Sequence, residues 1–346
     1  MKKFLCFMLA LATFLSLSLT SYATSEINVI ADLTPIQPIS PNLEISSSPD
    51  GAVAVGKNLD TNSIYYYRVN GAVISQIGNV ITSIPGCFPS PQILENKYES
   101  FSPNSAIDTE DREKVTDADN MPFSAICYID ITFPNGETYP ATAFMISGDV
   151  AMTAAHCLYD PLLGGWATSV RVIPGKSGYG FFNNPFGDAN AEEIVVSTQW
   201  QQNVPNSSEI PISLRDYDWG FIRLDDSIGN DSGYLGIKYD ANFTNKTVTI
   251  SGYPNPFPEG SNNKNYYQYE TNGRIESMGD HRITHKLDTS EGQSGSPIFY
   301  WDSTDQQWLV VGIHVSCSVT ENATSSHYHT GVWFYSQLFS FAWAYR

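Results

Sequence analysis

Apolar and polar positions alternate along much of the chain in runs of roughly four to eight residues, which is the strand period. The runs end in Gly, Pro, Asn or Asp. Ile126–Phe133 reads as a strand, Pro134-Asn135-Gly136 as a hairpin turn and Thr142–Ile146 as the returning strand. Gly148-Asp149 then makes a two-residue hairpin into Val150–Thr153. Further strands are predicted at Val170–Ile173, Gly220–Leu224, Thr247–Gly252, Gly273–Glu276, Ile283–Leu287, Val310–Val315 and Gly331–Tyr335. Short strands at this spacing, almost without helical periodicity, predict an all-β antiparallel barrel or sandwich. Only Ser336–Tyr345, with Leu338, Phe339 and Trp343, carries a helical stripe. No repeat of solenoid or propeller period is present.

Upstream the pattern breaks down. Lys2 and Lys3 precede an apolar run from Phe4 to about Leu19, and Ser21-Tyr22-Ala23 resembles a small-x-small cleavage site. Residues 1–23 therefore read as a secretory signal peptide, so the protein is expected to be extracellular. Residues 24–104 are rich in Pro, Ser and Asn, with short strand-like pieces such as Ser63–Val69. Pro35–Pro41 and Pro85–Pro91 read as extended, weakly ordered stretches, and the whole segment as a propeptide. The strand-rich body is expected to span 105–346.

Composition narrows the partners. The 346 residues carry a formal net charge of -18 with only 16% charged residues, a surface that repels nucleic acid and anionic membranes. No nucleic acid, and no membrane once the signal is removed, are expected as partners. Of five cysteines, Cys6 leaves with the signal. Cys127–Cys157 is the expected disulfide, tying the segment beside His156 to a neighbouring strand.

The chemistry centres on Thr289-Ser290-Glu291-Gly292-Gln293-Ser294-Gly295-Ser296-Pro297. Glycines on both sides let a substrate carbonyl approach the Ser294 hydroxyl. The same bend can aim the N–H groups of Gly292 and Ser294 at one point, as an oxyanion hole requires. Alone, this stretch is a glycine-serine turn. His156, after the strand Met152-Thr153-Ala154-Ala155, can take and return a proton near neutral pH. Asp218, between Tyr217 and Trp219, could orient it, although Asp216 shares its strand parity. The chain order His, Asp, Ser is one of those that convergent triads adopt. The pairs His281/His285 and His327/His329 could bind metal, but no third ligand joins either at a familiar spacing. No metal and no cofactor are expected.

These stretches resemble the chymotrypsin-like serine proteases, and most closely their bacterial glutamyl endopeptidase branch. Thr153–Asp160, Tyr217-Asp218-Trp219-Gly220, Thr249–Pro254 and Gly292–Pro297 carry the resemblance, with Ser105-Ala106-Ile107 and Asp111–Val115 similar to the mature N-terminal region. It covers Ser105 to the C-terminus and favours Asp218 over Asp216. It implies two antiparallel six-stranded β-barrels, His156 and Asp218 from the first and Ser294 from the second, in a monomer that acts on protein or peptide substrates. It also implies that Thr289 and His314 receive a substrate glutamate, and that the propeptide is cut near Asn104–Ser105. An imidazole N–H and a hydroxyl suit a carboxylate, and a protonated His314 would add charge assistance. Glu291 and Cys317 motivate the alternative, a serine protease with preference for small or apolar residues. A non-catalytic adhesin or toxin on the same fold is the reading from another class.

Overall fold

The computed structural model describes residues 42–70, 83–87, 111–240, 242–255, 264–320 and 327–346. The signal segment, Pro35–Pro41 and the bond Asn104–Ser105 lie outside the described residues.

Three strands come first: β1 (Asn42–Ser46), β2 (Ala54–Asn58) and β3 (Ile64–Asn70). They are antiparallel neighbours, and β2 pairs onward with the first barrel. β3 falls on the strand-like piece Ser63–Val69 read from the sequence, whereas β1 and β2 were not anticipated. Ala54, Val55 and Tyr67 are buried, so the few apolar residues of this Pro- and Ser-rich stretch find a core supplied by the rest of the chain. Composition measured over the segment alone does not reveal such a partner. Two short strands follow, β4 (Ser83–Ile84) and β5 (Glu113–Lys114).

The first barrel begins with β6 (Ile126–Thr132), β7 (Thr138–Met145) and β8 (Val150–Thr153), the two hairpins read from the sequence. A small hairpin, β9 (Tyr159–Asp160) with β10 (Gly165–Trp166), precedes β11 (Ser169–Pro174), β12 (Ala189–Ser197) and β13 (Gly220–Leu224). The sheet runs β12-β11-β6-β7-β8-β13 and closes by pairing β13 to β12. Closure buries Ile129, Ala143, Val150, Met152, Val172, Ile194 and Ile222 without leaving an open edge among these six strands.

The second barrel follows the same plan. After β14 (Gly236–Lys238) come β15 (Thr247–Gly252), β16 (Tyr269–Met278), β17 (Arg282–His285), β18 (Pro297–Asp302), β19 (Gln307–Thr320) and β20 (His327–Trp333). The order β18-β15-β16-β17-β20-β19 closes through β18–β19. A C-terminal helix, Ser336–Tyr345, then returns to the first barrel, where Phe341 packs edge-on to Phe221 with ring centroids 5.1 Å apart. The expected fold is thus the observed one. Its helix buries more than the predicted stripe, adding Phe341, Ala342 and Tyr345 to Leu338 and Phe339.

The expected Cys127–Cys157 bridge is absent, and both residues are buried free thiols. Cys127 lies on β6 and pairs across to Ala143 on β7, while Cys157 follows β8 on the far side of β7. Two strand spacings, about 9–10 Å, exceed the roughly 7 Å that a disulfide can bridge between Cα atoms.

Candidate active site

His156 sits in the 3-10 turn Ala155–Cys157 that ends β8, and its side chain keeps 29% of its exposure. Its Nδ1 lies 2.7 Å from Asp218 Oδ2, and its backbone N–H donates to Asp218 Oδ1 at 2.9 Å. The carboxylate grips both the ring and the main chain of one residue, which sets where the ring lies and how it is turned. Asp218 is 2% exposed, at the end of the 3-10 turn Ile212–Tyr217 and just before β13. Burial disfavours charge on the imidazole. The Asp218 carboxylate, with the Cys157 sulfur, more than offsets that and holds His156 well above the ordinary histidine pKa. The parity ambiguity is resolved here, because Asp216 accepts instead from Arg282 Nε at 2.7 Å.

Ser294 belongs to the turn between β17 and β18. Gly292 and Gly295 on either side have φ of +84° and +87°, the left-handed region in which an L side chain is strained. Gly295 also has no room for a Cβ, which would collide with the carbonyl oxygen of Thr142 on β7 and the hydroxyl of Thr153 on β8. The Thr142 N–H donates to the Ser294 carbonyl at 3.0 Å, and the Thr142 hydroxyl to the Gly292 carbonyl at 2.8 Å. The Ser294 turn of the second barrel is therefore fastened to the strands that lead into His156. From behind, Arg112 is hydrogen-bonded to Ser290 and, at 2.9 Å, to Gln293 Oε1. No hydrogen bond joins the Ser294 hydroxyl to His156 among the described residues. Such bonds often tighten only when substrate is bound.

Thr289 and His314 lie in the same barrel beside this turn, both buried. The His314 N–H donates to the Ser296 carbonyl, and the Gly295 N–H to the His314 carbonyl, each at 2.8 Å. Behind them stand two histidines that the sequence offered only as metal-binding pairs. His285 Nε2 is 3.3 Å from His314 Nδ1, and the Thr289 hydroxyl is 3.1 Å from His329 Nδ1. The rings of His285 and His329 stack at 5.6 Å. Burial, reinforced by neighbouring imidazoles, drives His285 and His314 well below the ordinary histidine pKa. This favours the uncharged form of His314, whereas charge assistance would need the protonated one. The only sequence signal for this row was parity. His285 and His329 face each other across the β17–β20 ladder. His314 pairs with Gly331 on the other side of β20.

Two further observations bear on specificity. Glu291 is exposed, and its carbonyl accepts from the Asn255 N–H at 2.7 Å. The side chain of Cys317 lies outside the described residues. Arg215, three residues before Asp218, is hydrogen-bonded to Ser316 on β19, so it joins the loop carrying Asp218 to the strand carrying His314.

The chain spans less than two thirds of the curated relatives considered. It is 31% identical over 205 residues to a glutamyl endopeptidase of Bacillus licheniformis, covering 59% of this chain and 57% of that protein. It is 27% identical over 226 residues to a Bacillus subtilis protein described as an extracellular metalloprotease, covering 64% and 66%. Among solved structures it is similar to a Glu endopeptidase in complex with MPD, at 28% identity and a TM-score of 0.51, covering 66% of this chain and 94% of that one. The trypsin family model matches residues 114–337, which include both barrels and every residue of the site, and the chain belongs to the trypsin family.

Proposed function

We propose that this protein is a secreted serine endopeptidase, made as a zymogen and cutting after glutamate, less efficiently after aspartate. The observation that carries the reading is the Ser294 turn fastened to β7 beside a histidine held at two points by a buried carboxylate. Ser294 Oγ attacks the scissile carbonyl carbon, and His156 Nε2 takes the hydroxyl proton. Asp218 keeps the other ring proton on Nδ1 and stabilises the imidazolium that forms. The N–H groups of Gly292 and Ser294 receive the oxyanion, each donor being worth roughly 3 kcal/mol in such sites. His156 then gives its proton to the leaving amine, and water repeats the cycle on the acyl-enzyme.

Preference for glutamate is supported by the neutral His314 and by the descriptions of the Bacillus licheniformis relative and the solved structure as glutamyl or Glu endopeptidases. A neutral imidazole N–H donates to a carboxylate without first having to bury its own charge. The test is labelling by an organophosphorus fluoride, followed by hydrolysis of peptides ending in Glu, Asp, Ala or Phe. Labelling confined to Ser294 and strongest cleavage after Glu are expected. Cleavage after Phe as fast as after Glu would remove the specificity assignment. A chelator arm is included because the Bacillus subtilis relative is described as a metalloprotease. Inactivation by the chelator with Ser294 unlabelled would remove the mechanism.

A further inference from the structure

The N-terminal strands are built into both barrels. On the first barrel, β11 pairs with β12 only at Ala189 and Asn190, while β13 occupies the other edge of β12. The remaining edge, Glu193–Ser197, is taken by β2 in five consecutive residue pairs. Without β2 that stretch would present bare N–H and C=O groups, the feature that makes an edge strand prone to aberrant pairing. The fit is close. A Cβ on Gly56 would stand 2.7 Å from the Glu193 carboxylate and 3.1 Å from Val195.

Side chains lock this ladder. Glu193 accepts from two phenols, Tyr67 on β3 and, at 2.8 Å, Tyr345 of the C-terminal helix. The Tyr67 ring also packs edge-on against Phe341 and Tyr345, with centroids 5.8 and 5.7 Å away. The second grip is on the other barrel. There β4 pairs with β14, which burying Ile84 reinforces, and Cys87 exchanges backbone hydrogen bonds of 2.9 and 3.0 Å with Tyr234. Arg346 donates to the Pro85 carbonyl at 2.9 Å. These partners lie on β12, on or just before β14, and in or at the end of the C-terminal helix, none of which carries His156, Asp218 or Ser294.

We propose that residues 42–87 form a two-site strap that stays bound to the catalytic body after the chain is cut between residues 88 and 110, so that the active protein is a non-covalent complex of two polypeptides. Cutting converts one chain into two, but each grip raises the effective concentration of the other. The strap covers the β12 edge and ties the barrels from the side without occupying the catalytic turn. It acts as a persistent structural partner rather than as a plug to be expelled. This rests on the proposed function only for the position of the natural cut.

The test separates the two ideas by using full-length Ser294→Ala protein, in which a recognition sequence for a site-specific protease replaces part of residues 90–100. After cutting, native gel filtration is followed by a denaturing gel. Co-elution of the strap fragment with the body is expected, with Glu193–Ser197 amides as protected from hydrogen exchange as in the uncut chain. Gly56→Val should release the strap or shorten its residence at least tenfold. Tyr67→Phe, which removes only the Glu193 bond, should do so to a smaller extent in a protein that still folds. Elution of the unmodified strap apart from the body overturns the proposal. So does retention that neither substitution changes.

Discussion

The two barrels treat the same side chain in opposite ways. In the first, a buried carboxylate lies 2.7 Å from the His156 ring, and the imidazole is driven towards its charged form. In the second, burial and the neighbouring imidazoles drive His285 and His314 towards neutrality. Glu270 on β16 fares likewise, since burial, with Glu113 and Asp117 nearby, pushes its pKa up to about 7. The first barrel is a place that accepts a proton and tolerates the charge, as a general base must. The second is a place that disfavours a proton on its imidazoles. The difference arises from one buried acid in the right place and not from histidine chemistry.

The largest effect is expected where that acid is removed. Asp218→Asn should lower kcat by about 10⁴, because the ring loses the partner that fixes its tautomer and stabilises its charge. Rates on one good peptide substrate decide it. A loss below about tenfold would mean that the His156–Asp218 pair is structural. In the second barrel, His314→Ala should cost about 2–3 kcal/mol, or roughly 10²-fold in kcat/KM, on Glu-ending peptides. Ala-ending peptides should be nearly unaffected, and a uniform loss would make His314 a packing residue.

The contrast itself is open to NMR titration of the imidazoles. His156 should titrate above 6.5, whereas His285 and His314 should remain neutral until well below it. The linkage signs differ accordingly. The raised His156 value contributes stability that is complete below about 6.5 and is lost as pH rises through its folded pKa, the same rise that switches on the base. The depressed values of His285 and His314 contribute stability present above about 6.5 and lost as pH falls towards their folded pKa. Interchanged titrations would end the comparison. The smallest effect is expected at Glu270, whose folded pKa of about 7 lies above that of the unfolded chain. Its stabilisation is complete below roughly 4.5 and disappears as pH rises through 7. Glu270→Gln should therefore raise stability by about 1 kcal/mol at pH 8, after allowance for its partial exposure, and by nearly nothing at pH 4. Thermal melts at the two pH values measure it, and equal shifts would sink the explanation.

Most of the first barrel was legible because its hairpins are local. Pro134-Asn135-Gly136 and Gly148-Asp149 set the turns, and alternation set β6, β7 and β8 between them. The Ser294 turn was legible for a similar reason, since its glycines state the backbone geometry outright. What escaped were contacts made across distance. Cys127 and Cys157 looked joinable until β7 was found between their strands. β1 and β2 were not anticipated, because β2 pairs with Glu193–Ser197, far along the chain.

The candidates His156, Asp218 and Ser294, their order and the β class follow from local pattern, because strand period, turn chemistry and a serine between glycines are each written in a few adjacent residues. The two-point hold of Asp218 on His156, the row of His285, His314 and His329, and the pairing of β2 on β12 appear only in the tertiary structure. Pairing of distant strands and desolvation depend on which surfaces meet, and no short stretch of sequence contains both sides of a contact.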